Sequence, residues 1–128
     1  MIYLDTHVVL WLFFRKGDGL SEHARYIIEY EPEILISPIV LLELDYLHEI
    51  GRTTLPSEPV FKYLNQQIDL QICRKSFYDV IRSASHLTWT RDPFDRIITA
   101  QSAIAQNRLI TKDQTIRTHY KHAVWETA

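Results

Sequence analysis

Four short apolar runs, IYL at 2–4, ILI at 34–36, LQI at 70–72 and LIT at 109–111, are separated by longer segments with helical spacing. IYL, three apolar residues without polar alternation, suits a strand buried on both faces, and strands that alternate with helices pair in parallel through helical crossovers. The expected class is therefore α/β: a three-layer α/β/α arrangement around a short parallel sheet of four to five strands, the fifth being AVW at 123–125.

The punctuation between the runs places the helices. Thr6 is read as the N-cap of a helix carrying VVLWLFF at 8–14, and Ser21 begins a second helix with Ala24, Ile27 and Ile28 on one face. Ser37 and Pro38 open a third that stops at Gly51. A fourth follows Pro56 to Pro59 and runs to about Gln67, while Ser76 and Asp79 form a capping box for a fifth that ends near Leu87. The sixth starts at Pro93 or Phe94 and continues through Ile104 and Ala105.

A chain of 128 residues fits one domain, expected over 1–128, and a net charge of −2 excludes a polybasic arm, so any contact with an acidic polymer is local. The lone Cys73 cannot close an internal disulfide, which points to a reducing compartment. The apolar run at 8–14 is far short of the roughly 20 residues that span a bilayer, and Asp5 sits where a signal peptide would be basic. A soluble, cytoplasmic protein with no membrane partner is expected.

In an open parallel sheet the ligand site lies at the carboxyl ends of the strands. Asp5 follows the first strand directly, and Asp113 follows the fourth, separated from Thr111 by Lys112 alone. Asp92 and Asp95 flank Pro93 and Phe94 in RDPFDRIIT, at the start of the sixth helix, and the pattern does not decide whether they reach the same edge. Glu43 is embedded in IVLLELDYL, where a charge is costly unless paired; it belongs either to a site or, with Asp45 and Glu49, to a wet helix face. Asp95 likewise reads as a site acid or as a first-turn acid stabilised by the helix dipole.

Taken together, MIYLDTHVVLWLF, ISPIVLLEL, DPFDRIITAQSAIAQNRLITKD and AVW resemble a PIN-domain ribonuclease, of the VapC-like toxins of bacterial toxin–antitoxin pairs, over nearly the full length. The resemblance implies an acidic pocket of Asp5, Glu43, Asp95 and Asp113 that acts as catalytic and metal-binding set. It also implies an RNA substrate, a cognate antitoxin that packs an apolar helix into a groove, and a homodimer. Asp92 matches the first acid of the DPFD signature and is read as a turn former and cap, while Thr6, Ser37 and Thr111 sit beside matched positions, as hydroxyls that orient carboxylates or waters or as plain caps.

Converging carboxylates repel one another, and a hard divalent ion, Mg²⁺ or Mn²⁺, removes the conflict and activates water for phosphodiester hydrolysis. Arg91, Arg96 and Lys112, with Arg15 and Lys16, are candidates to grip the RNA backbone, and Trp11 and Trp89 to stack on bases or to fill the core. His7, beside Asp5, is the one histidine placed to matter, with packing or capping as its simpler role. Two rivals stand: a PIN fold reduced to a binding module, and a magnesium-binding phosphoacceptor receiver domain. The receiver needs an acid after its central strand, whereas LQI leads to Cys73, Arg74 and Lys75.

Overall fold

The computed structural model describes residues 1–126. In chain order the elements are β1 (Ile2–Leu4), α1 (Thr6–Phe14), α2 (Glu22–Tyr30), β2 (Ile34–Ile36), α3 (Pro38–Glu49), α4 (Ser57–Ile68), β3 (Gln71–Ile72), α5 (Phe77–Ala84), α6 (Pro93–Ala103), β4 (Arg108–Ile110), α7 (Gln114–His119) and β5 (Ala123–Val124). The strands form one parallel sheet in the order β3-β2-β1-β4-β5, flanked by helices in the expected three-layer arrangement. Tyr3 aligns with Leu35 on one side and Leu109 on the other, so β1 is central. Its side chains are almost wholly excluded from water on both faces, which is why IYL carries no polar alternation.

This order corrects the ground on which the receiver fold was set aside. Only Gln71 and Ile72 of LQI form β3, an edge strand, and the central strand is β1, which is followed directly by an acid, Asp5. The reading is excluded instead by topology, since receiver domains have the order 2-1-3-4-5.

Chain direction reverses across the sheet between β1 and β4: from β1 the chain builds outward through β2 and β3, then returns to β4 on the opposite flank. Such a switch point opens a crevice at the carboxyl ends of the two strands. The Asp5 amide donates to the Ile110 carbonyl at 3.0 Å, which holds that edge closed beneath the crevice.

Several boundaries differ from expectation for local reasons. Asp5, rather than Thr6, is the N-cap of α1, its carboxylate accepting from the Thr6 amide. α4 begins at Ser57, before Pro59, because a proline in the first turn forfeits only an amide that has no helical partner. Pro56 offers α4 no side-chain cap, and Asp45 of α3 supplies one across the helix pair, accepting from the Ser57 amide at 2.8 Å. α5 stops at Ala84 rather than Leu87, and α6 at Ala103, one and two residues before Ile104 and Ala105. α7 was not anticipated: its six residues, QTIRTH, bury only Ile116 and so leave no periodic signal.

The apolar run of α1 is spent mostly inside the domain. Val8 and Val9 are fully buried, Leu10 to Phe13 pack against the same core, and only Phe14 is left 38% exposed. No helix among the described residues is long and apolar enough to cross a membrane.

Candidate active site

Asp5, Glu43, Asp92, Asp95 and Asp113 line one cavity of about 250 Å³, together with Thr6, His7, Leu10 and Leu47. The carboxylates come from four parts of the fold. Asp5 leaves β1 and caps α1; Asp113 follows β4 and caps α7, accepting from the Ile116 amide at 2.9 Å. Glu43 is presented by the second turn of α3, and Asp95 by the first turn of α6. The placement of Asp95, undecided from the pattern, is thus settled: the start of α6 lies at the edge where β1 and β4 end.

Three helix amino termini, those of α1, α6 and α7, therefore face the same crevice. The first amides of these helices have no carbonyl partner in the preceding turn, several are bonded instead by the capping aspartates, and their partial positive charge offsets part of the repulsion among the acids. Glu43 sits inside its helix and lacks that support. Its partner is the Thr6 hydroxyl, which donates to Oε1.

Hydrogen bonds also hold the other carboxylates in place. Asp5 is 4% exposed; Oδ1 accepts from the Thr6 amide at 2.8 Å and Oδ2 from the Thr111 hydroxyl at 2.6 Å. Thr111 Oγ1 in turn accepts from the Asp113 amide at 3.0 Å. Asp92 caps α6, its Oδ1 accepting from the amides of Phe94 at 2.8 Å and Asp95 at 3.2 Å. The turn-forming role read for Asp92 is thus visible, and the same side chain borders the cavity.

The charge density registers in the acidities. Burial, and then the carboxylates of Asp92, Asp5, Asp113 and Glu43, push Asp95 up to about 7. Burial also raises Glu43; the Thr6 hydrogen bond opposes that shift, and Asp5 and Asp92 add to it. His7, not among the acids singled out, borders the cavity as well. Its Nε2 accepts from the Lys112 amide at 2.9 Å, which requires a neutral ring, and burial lowers its pKa in agreement. Nδ1, 3.6 Å from Asp5 Oδ2, then carries the proton. Its position two residues after Asp5 was the only signal in the chain.

Other expected residues lie elsewhere. Ser37 caps α3 and gives its hydroxyl to Gln101 Oε1 at 2.8 Å, so it does not orient the acids; it stands one strand away, beyond β2. Arg96 is committed to the Thr90 carbonyl at 2.8 Å, and Arg91 is exposed without lining the cavity. Lys112 borders an adjoining cavity with His7, Trp11 and Asp113. Trp89 stacks on His119 and Trp11 packs edge-on against Trp125, so both serve the domain's own packing.

The PIN domain family matches residues 2–121. The chain belongs to the PIN-domain family. This PIN domain is 32% identical over 120 residues to Ribonuclease VapC22 of Mycobacterium tuberculosis, covering 92% of this chain and 91% of that protein, as the VapC-like resemblance implied. Its fold is similar to that of VapBC2 from Rickettsia felis bound to a DNA fragment from their promoter, with TM-score 0.67, 17% identity and 98% of both chains covered. It also resembles a toxin-antitoxin complex from Klebsiella pneumoniae, with TM-score 0.63, 19% identity and coverage of 91% and 90%.

The fit to a metal ion can be judged from the donors. Among the described residues no three acidic, histidine or cysteine side chains already stand as a closed ligand cluster. The cavity is nevertheless lined by oxygen donors and has room for several waters at about 30 Å³ each. That combination suits Mg²⁺ or Mn²⁺, which accept oxygen ligands and, for Mg²⁺, keep several waters. The donors fit a hydrated hard cation rather than zinc.

Proposed function

We propose that this chain is a metal-dependent endoribonuclease and the toxin of a toxin–antitoxin pair, hydrolysing RNA phosphodiester bonds in the acidic cavity. The observation that carries the reading is the meeting of Asp5, Glu43, Asp95 and Asp113 in one cavity at the switch point of the sheet, with three helix amino termini around it. The 32% identity to a protein named as a ribonuclease supports it. Likeness to solved toxin–antitoxin complexes supports the partner. The proposal includes a single PIN-like domain over 1–128, a cytoplasmic location and a homodimer.

In this reading the four acids hold Mg²⁺ or Mn²⁺. Such an ion, when bound, lowers the pKa of a water and offsets charge on the leaving oxygen of a phosphodiester. The protein's part is orientation and proton control. Thr111 and the Thr6 amide fix both oxygens of Asp5, and the Thr6 hydroxyl fixes Glu43. Asp95 holds a proton up to about neutral pH, and a cation held by the acids would favour its ionised form. Leu10 and Leu47 line the apolar side and limit water on that flank.

The test is cleavage of a structured RNA pool by purified protein with Mg²⁺ or Mn²⁺ and with chelator, beside Asp5→Asn and Asp95→Asn. Metal-dependent cutting that both folded variants lose is the expected result. A folded, metal-loaded protein that cuts no RNA leaves a PIN-fold binding module instead.

A further inference from the structure

Three cavities meet along one face of α1. The acidic cavity shares His7 and Asp113 with the hollow beside Trp11 and Lys112, and shares Leu10 with a third cavity of about 360 Å³ that runs past Trp11 and Phe14 to the turn at Gly51 and Arg52. His7, Leu10, Trp11 and Phe14 follow at i, i+3, i+4 and i+7, a single helical stripe. All four keep some exposure, so the stripe is open to solvent from the acids outward.

Its fringe is cationic. Arg15 and Lys112 stand over the Trp11 ring, with the guanidinium carbon and Nζ at 5.3 and 5.7 Å from its centroid, and Arg52 lines the third cavity. Among the described residues none of these three side chains enters an ion pair, and no acid lines that third cavity. Gly51, at φ +81°, turns the chain there with no atom within 4 Å of where a Cβ would stand, which keeps the far end open.

Single-stranded nucleic acid is gripped by this combination of an open aromatic surface for bases and cations for phosphates. An apolar protein helix on the same stripe would leave Arg15 and Arg52 without counter-charge unless it brought acids of its own. We propose that the cavity bounded by Trp11, Phe14, Arg15 and Arg52 is a subsite for single-stranded RNA leaving the acidic cavity, with a base on the exposed Phe14 and phosphates on Arg15, Arg52 and Lys112, two of which the Trp11 ring holds in place. The inference rests on the ribonuclease reading and adds the path of the strand to it. That path follows α1, at whose end Arg15 lines the cavity, whereas Arg96 of α6 does not line it and gives its Nε–H to the Thr90 carbonyl.

The experiment measures binding of a fluorescently labelled oligouridylate over a series of NaCl concentrations, on an Asp95→Asn background so that the strand is not cut. Arg15→Gln and Arg52→Gln are compared with Arg82→Gln, an exposed cation on α5 remote from the stripe. Each of the first two is expected to weaken binding several-fold and to lower the slope of log affinity against log salt by about 0.7, the share of one phosphate contact in a single strand. Arg82→Gln changes neither, and all variants keep a cooperative melt. Background affinity and slope in both Arg15→Gln and Arg52→Gln overturn the proposal while RNA cutting by the wild type leaves the ribonuclease reading standing. A wild type that neither binds nor cuts RNA overturns both. Variants that bind RNA normally but lose a protein partner assign the stripe to that partner, which also overturns the subsite.

Discussion

The Thr111 hydroxyl donates to Asp5 Oδ2 at 2.6 Å, joining the end of β4 to the end of β1 where neither group meets bulk water. Because the same hydroxyl accepts from the Asp113 amide, one side chain positions two acids on neighbouring strands. β1 and β4 are adjacent only through the sheet order, so residues 106 positions apart become a single unit of the site.

Thr111→Val keeps the shape and removes both bonds. It is expected to cost about 1–3 kcal/mol, since a buried acceptor and a buried amide lose their partner. The measurement is a urea unfolding curve, with a lower midpoint at unchanged slope. Thr111→Ser should recover most of the loss, and a wild-type midpoint in the valine variant would contradict the role.

The pH dependence of stability follows from Asp95. Its ordinary value of 3.8 is raised to about 7 in the folded chain, so the stability linked to its proton is complete below pH 4 and lost as pH rises through about 7. In chelator, Asp95→Asn should melt with the wild type near pH 4 and above it at pH 8. The carboxyl is part-exposed, and solvent screening brings the gain down to about 1–2 kcal/mol. Melting temperatures that differ equally at both pH values would refute it.

A divalent cation acts on the same imbalance. At about 100 times its dissociation constant Mg²⁺ or Mn²⁺ should stabilise the wild type by about 2.7 kcal/mol, read as a rise in melting temperature at pH 8. The rise should vanish in Asp5→Asn and in Asp95→Asn. An equal rise in wild type and variants would place the ion elsewhere on the surface.

Asp45 lends its carboxylate to the first amide of α4, across the α3–α4 pair. Asp45→Ala should cost about 1 kcal/mol, the usual size of a lost N-cap. Asp45→Asn should retain most of it, and calorimetry of the two variants separates them. The change leaves the acids of the cavity in place, so RNA cleavage below the melting temperature serves as its control.

The elements that could be read in advance are those whose signal is local. Ser21, Ser37 and Ser76 each cap the helix expected of them, because a cap needs only the next two or three amides. Asp5 and Thr6 show the limit: both residue types cap helices, and Asp5 takes the role while Thr6 turns its hydroxyl to Glu43, 37 residues away. α7 escaped because six polar-rich residues with one buried side chain have no period to detect. Ser37 takes the cap role that was its alternative reading, and Arg96 gives its Nε–H to the Thr90 carbonyl, partners that position along the chain does not specify.

What the sequence determined by itself is the class, through short strand-like runs alternating with helical spacing, and the acids as individuals, through charges placed at strand ends and within an apolar helix. Tertiary structure alone decided that they form one cavity. The placing of β4 beside β1 depends on long-range pairing, and it is this pairing that sets Asp113 beside Asp5; the start of α6 reaches the same edge only once the chain has folded around the sheet. No local spacing carries that information, because each contact joins segments whose separation along the chain is unrelated to their distance in space.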